Sequence, residues 1–159
     1  MPVRKSSLLE RAFRPLEVLL AISIIAVFIE VLAEVAARYL LHLPVPWGAE
    51  VSQTLLVWIT FLGAALALFC GEHMAINLLL DRISSAKVRK SLEVAGELAI
   101  LAFLMVGIFG GSQVVLRTWS MQTTALQIPA GILYLAFPLG CFLMVPVVLR
   151  SLYLKIRKE

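Results

Sequence analysis

Charge is scarce in this chain: 15% of its 159 residues are Asp, Glu, Lys or Arg, while 61% are hydrophobic. A soluble domain is about 25% charged and about 45–50% apolar, and a chain this short cannot hide so much apolar surface in a core of its own. The composition calls for a bilayer as solvent and for one domain spanning 1–159. Histidine is nearly absent, and His42 and His73 both fall outside the long apolar runs. A haem-bearing membrane anchor needs axial histidines within its spans, which disfavours a redox-enzyme anchor. The two cysteines, Cys70 and Cys141, make neither a disulfide framework nor a metal motif and read as small packing residues. No nucleophile–base pair, phosphate loop or metal cluster is present in the sequence, so neither catalysis nor a cofactor is expected. The net charge of +4 comes with no nucleic-acid-binding pattern.

Long apolar runs are what the chain has in abundance. A hydrocarbon core about 30 Å thick needs about 20 helical residues, and four segments qualify: about 16–41, 51–70, 92–116 and 129–153. The sequence therefore predicts an all-α membrane protein with four transmembrane helices. The first run extends over about 26 residues and follows Arg11 and Arg14. It exceeds a signal-peptide core of about 7–15 residues and is expected to stay as an anchor. Pro129 is expected in the first turn of the fourth helix, and Pro138 and Pro146 are expected to bend it. Gly107 and Gly111, and the series Gly63, Ala67, Gly71, allow close helix approach in lipid.

Basic residues alternate with the loops. The N-terminal arm carries Arg4, Lys5, Arg11 and Arg14, and the loop 42–50 carries none. The loop 71–91 carries Arg82, Lys87, Arg89 and Lys90; the loop 117–128 carries Arg117 alone; the tail carries Arg150, Lys155, Arg157 and Lys158. By the positive-inside rule the arm, middle loop and tail are cytoplasmic, giving an N-in/C-in, multi-pass membrane protein. Ser7 and Glu10 stand at capping-box spacing in a short amphipathic N-terminal segment. Ile76, Leu79, Leu80 and Ile83 give the connector between helices 2 and 3 an apolar stripe suited to lying on the lipid surface.

The most unusual residues are Glu30, Glu34 and Arg38, spaced four apart on one face of the first span. A central charge costs about 2.5–3.5 kcal/mol on the insertion scale, and the fourteen Leu, Ile, Val and Phe residues from Val18 to Leu41 return about 4–8 kcal/mol. This span should insert poorly unless its polar face meets protein. The spacing predicts a Glu34–Arg38 pair. Glu93 and Glu97 read as boundary residues at a helix start. Trp47 reads as an interfacial anchor and Glu50 as an acid in the first turn of the second helix.

The stretch RYLLHLPVPWGAEVSQTLLVWITFLGAALALFCGEHMAINLLLDRI resembles the signature region of the small membrane subunit of TRAP transporters, the DctQ family. The resemblance rests on Arg38-Tyr39, Pro44, Trp47, Glu50, Leu56-Val57-Trp58, Phe61-Leu62-Gly63-Ala64, Gly71 and His73, about a third of the chain. It departs from the family at Asn77, where an aspartate is common, and at Phe69-Cys70, where a basic residue often stands. The resemblance implies a non-catalytic subunit of a sodium-coupled importer of an organic acid. Its partners would be a large multi-span membrane subunit, a periplasmic substrate-binding protein and the surrounding lipids. Glu30, Glu34, Arg38, Trp47, Glu50, Gly63 and His73 are the candidate structural or interface residues. The competing readings are a self-sufficient four-helix proton-coupled exporter using Glu30 and the redox anchor disfavoured above.

Overall fold

The computed structural model describes residues 7–43, 45–70 and 86–157, with side chains from Phe13 onward apart from 86–87 and 154–156. Four α-helices account for nearly all of it: α1 (Ser7–Leu40), α2 (Gly48–Cys70), α3 (Ala86–Thr118) and α4 (Gly131–Arg157). Each is long and apolar enough to cross a membrane, so the expected all-α, four-span architecture is what the chain adopts. His73 and the amphipathic connector with Ile76, Leu79, Leu80 and Ile83 lie outside the described residues.

The helices differ from the expected spans at their ends. The N-terminal segment is no separate element, because α1 runs unbroken from Ser7 through Pro15 into the span. Helix α3 starts at Ala86, well before the hydrophobic run, and Arg89 pairs with Glu93 one turn on at 3.2 Å. Pro129 is not in the first turn of α4. It sits opposite Gln122 in an isolated antiparallel bridge. The flanking bonds, Thr123 N–H to the Ile128 carbonyl (2.9 Å) and Ala130 N–H to the Met121 carbonyl (2.8 Å), place Pro129 at a pair that exchanges no hydrogen bonds. A proline, which has no N–H, loses nothing there.

The packing is a row. Helix α1 packs on α2, α2 on α4, and α4 on α3. Contacts fix the directions. Phe13 stacks on Phe69 with ring centroids 4.4 Å apart, so α1 and α2 are antiparallel. Trp58 reaches Ile132 and Phe61 meets Phe137 edge-on, so α2 and α4 run the same way. Gly107 faces Cys141, and Ser151 meets Glu97, so α3 and α4 are antiparallel. The first and last described residues therefore lie at one end, and the α1–α2 and α3–α4 loops at the other.

Apolar attraction to lipid tails equals attraction to other helices, so the row is held by close packing and polar contacts rather than by hydrophobic burial. The buried apolar cluster is Leu104, Cys141 and Val148, packed against Ile100, Leu101, Ile108, Phe137, Met144, Val145 and Leu68. Gly107 and Gly111 receive α4, as their spacing predicts. A Cβ on Gly111 would lie 2.9 Å from the Phe137 ring and 3.1 Å from the Pro138 ring. On the other side of α4, a Cβ on Gly140 would lie 2.9 Å from Phe61 Cβ and 3.0 Å from the Phe61 carbonyl oxygen. Pro138 and Pro146 sit inside α4 and remove the donors that would reach the Tyr134 and Phe142 carbonyls. Gly63 departs from the expected pattern, since nothing lies within 4 Å of where its Cβ would be.

Gly140 is hemmed in by backbone and Gly63 by nothing. Gly140→Ala is therefore expected to destabilise the purified chain by about 1–3 kcal/mol through overpacking, and Gly63→Ala to leave it unchanged. Denaturant unfolding in mixed micelles checks both; equal effects would contradict the packing described.

Candidate functional site

At the loop end, three acids and their partners gather around the first turn of α2. Helix α1 ends on the Ala37 carbonyl, which accepts from both Leu41 N–H (3.2 Å) and Leu43 N–H (3.1 Å), with His42 in the left-handed region at φ 54°. Gly48, the first residue of α2, lies back against α1. The N–H groups in a first helical turn have no partners within their helix, and the helix dipole makes this end positive.

Two of the acids on α1 point there. Glu30 Oε1 and Glu34 Oε2 both lie 2.7 Å from the position a Cβ on residue 48 would take. Glycine leaves the space that lets both carboxylates approach the positive end of α2. The Ser52 hydroxyl, one turn further along α2, donates to Glu30 Oε2. The Glu34–Arg38 pair expected from spacing does not form among the described residues, whereas Arg89 and Glu93, at the same spacing, do pair. The reason is competition. Carboxylate and guanidinium one turn apart gain a few tenths of a kcal/mol on a helix surface, whereas the α2 N-terminus offers up to about 2 kcal/mol in a partly buried setting. Arg38 is exposed in the last turn of α1, where the dipole favours a cation.

The third acid fastens the other loop. Glu50 reaches across to the α3–α4 connection and accepts Ala125 N–H at 2.8 Å on Oε1 and Leu126 N–H at 2.9 Å on Oε2. The loop is shaped for this. The Thr123–Ile128 backbone bond closes it, Ile128 N–H also reaches Thr123 Oγ1 (3.4 Å), and Gln127 adopts a left-handed φ of 54° to turn the tip. Below it, Trp58 Nε1–H donates to the Ile132 carbonyl (3.2 Å). Trp119 covers Gly131, where a Cβ would lie 2.6 Å from its ring.

The structure thus brings Glu30, Glu34 and Glu50 together around α2 and leaves Arg38, Trp47 and Gly63 out of the cluster. Trp47 is exposed beside it. Sequence reasoning missed Gly48, Ser52 and Trp58. An indole N–H within an apolar run needs an acceptor, which was the available signal for Trp58. Sequence reasoning misplaced Glu97 at a helix boundary; Glu97 is buried and accepts the Ser151 hydroxyl at 2.7 Å. Because α3 starts at Ala86, Glu97 stands three turns inside the helix instead of at its boundary. Among the described residues no group of three metal-ligating side chains forms. The cluster is a set of helix-to-helix and helix-to-loop ties.

A family model described as tripartite ATP-independent periplasmic transporters, DctQ component, matches residues 25–158. The chain belongs to the DctQ family. All three acids, the clamped loop and every contact between helices from Glu30 onward lie within the matched region. The chain is 31% identical over 100 residues to the C4-dicarboxylate TRAP transporter small permease protein of Rhodobacter capsulatus, an alignment covering 62% of this chain and 44% of that protein. It is 25% identical over 139 residues to the sialic acid TRAP transporter small permease protein of Vibrio cholerae, covering 87% of this chain and 80% of that one. The alignment thus spans less than half of the Rhodobacter relative. Members of this DctQ family are small permease subunits of TRAP transporters, not enzymes, which sets aside the exporter and the redox anchor.

Two outcomes test the ties. Glu50→Ala leaves two loop amides without their acceptor, so hydrogen exchange across 121–130 should accelerate while that of the α3–α4 core stays slow. Unchanged exchange would show that the loop holds its shape without Glu50. For Glu30 and Ser52, a double-mutant cycle of Glu30→Gln and Ser52→Ala read by unfolding should give a coupling of about 0.5–3 kcal/mol; additivity would contradict the bond.

Proposed function

We propose that this TRAP small permease subunit is a scaffold that braces a large, substrate-carrying membrane subunit in the bacterial inner membrane and helps to dock a periplasmic binding protein. The observation that carries this is the row itself. Helix α1 touches the rest of the described structure chiefly through α2 and exposes most of its length. A row of four helices has two broad faces and encloses no path, which suits a subunit that lies against another protein.

The transport reaction is sodium-coupled import of an organic acid. The two relatives are named for C4-dicarboxylates and sialic acid, and both solutes carry carboxylates. The large subunit supplies the substrate and sodium sites, and this chain supplies its footing. Both termini and the 71–91 connector are cytoplasmic, as the alternation of basic residues indicates. The Glu50-clamped loop then faces the periplasm, where the binding protein arrives, with Trp47 and Trp119 exposed beside it.

Reconstitution tests the proposal. Proteoliposomes holding the large subunit, with the binding protein outside and an inward sodium gradient, should accumulate the organic acid only when this chain is present, and the two membrane subunits should co-purify. Full transport without this chain would overturn the scaffold reading. For topology, cysteines placed singly at Thr124 and Arg157, after replacement of Cys70 and Cys141, should react oppositely with a membrane-impermeant maleimide. Thr124→Cys is expected to label in intact spheroplasts and Arg157→Cys only after permeabilisation; the reverse pattern would invert the topology.

A further inference from the structure

At the end of the row opposite the Glu50 clamp, an open apolar groove runs between α1 and α4. Phe13, Pro15, Leu16 and Leu19 line it from α1 and Leu143 from α4. Its stretch of α1 covers six residues of rise, about 9 Å, the depth of the upper part of an acyl chain. The wall is firm at its foot, where Phe13 is buried against the Phe69 ring.

The charge of this end fits one kind of occupant. Twelve of the fourteen basic residues belong to the arm, the 71–91 connector and the tail, against four of the ten acids, with Glu17, Glu93 and Glu97 in the adjoining stretches of α1 and α3, whereas the loop end holds Glu30, Glu34 and Glu50 with Arg38 and Arg117. Arg14 stands between groove-lining Phe13 and Pro15 in the chain and is exposed. Glu17 is three residues on, yet no Arg14–Glu17 ion pair forms among the described residues. Flexible cationic side chains at the edge of a span extend toward the headgroup layer, and basic residues beside a crevice between helices hold anionic headgroups.

We propose that this groove binds one anionic phospholipid, with an acyl chain against Phe13, Leu16, Leu19 and Leu143 and the headgroup phosphate at Arg14. The bound lipid completes the contact between α1 and α4, which α1 otherwise makes only through α2. The proposal depends on the membrane setting of the chain and not on its partners.

Native mass spectrometry of the detergent-purified chain tests it, with phosphatidylglycerol and phosphatidylcholine of identical acyl chains and glycerol phosphate as the headgroup alone. The expected result is one retained phosphatidylglycerol per chain, with about tenfold preference over phosphatidylcholine and no binding of glycerol phosphate. Arg14→Gln should remove the preference while leaving some lipid bound. Leu16→Trp with Leu19→Trp should fill the groove and remove binding, with circular dichroism confirming that the helices remain. Equal retention of the two lipids, an unchanged preference in Arg14→Gln, or an unchanged adduct in a folded double-Trp variant would overturn the proposal. Loss of the lipid on co-purification with the large subunit would assign the groove to that subunit and overturn it as well.

Discussion

A carboxylate drawn toward an apolar layer must find donors in the protein, because lipid offers none. Three acids of this chain meet that constraint at one place. Glu30 and Glu34 close on Gly48, Ser52 donates to Glu30, and Glu50 takes two amides of the α3–α4 loop. The first turn of α2 is thus the point on which both loops and α1 converge. Without it α1 would be a long helix carrying two acids into lipid with nothing to face them. The same turn positions α2 for its next contacts down the row, Trp58 on the Ile132 carbonyl and Phe61 on Gly140.

Below that end the row relies on shape. Gly107 and Gly111 let α4 approach α3 on one side, and Gly140 lets it approach α2 on the other. Helix α4 is the most enclosed of the four and α1 the least. That gradient gives the subunit a firm α3–α4 half and a lightly held α1, tied at its loop end by acids and at its other end by the Phe13–Phe69 stack. A brace for a larger membrane protein has this form: a stable half that keeps its geometry, and a helix whose broad apolar surface is still available.

Much of this was legible in the sequence, and the remainder was not for definite reasons. The four spans follow from hydropathy, since each run is long enough for a bilayer and three exceed what it needs, with prolines or charged residues between them. Gly107 and Gly111 announced a close approach by their spacing, though nothing in it named α4 as the partner. Glu30 and Glu34 were recognisable as needing protein contact. The partner was misjudged because a residue four positions away is visible in a sequence and a helix N-terminus lying back against α1 is not. Glu97 was misplaced because its helix starts earlier than its hydrophobic run, and its donor Ser151 is 54 residues away. Pro129 carried a helix-start signal that a loop bridge used instead, at a site where a missing N–H is harmless. Local rules thus located the elements, while tertiary competition decided which polar group met which.

The dependence of α1 on the α2 N-terminus can be measured directly by glycosylation mapping of membrane insertion. Residues 1–43 are placed in a carrier protein alone, and residues 1–70 are compared with them. The account predicts partial insertion of α1 by itself and near-complete insertion when α2 follows. It also predicts that Glu30→Leu with Glu34→Leu lets α1 insert fully without α2. Complete insertion of unaltered α1 alone, or no gain from α2, would contradict the claim that its acids are held by the first turn of α2.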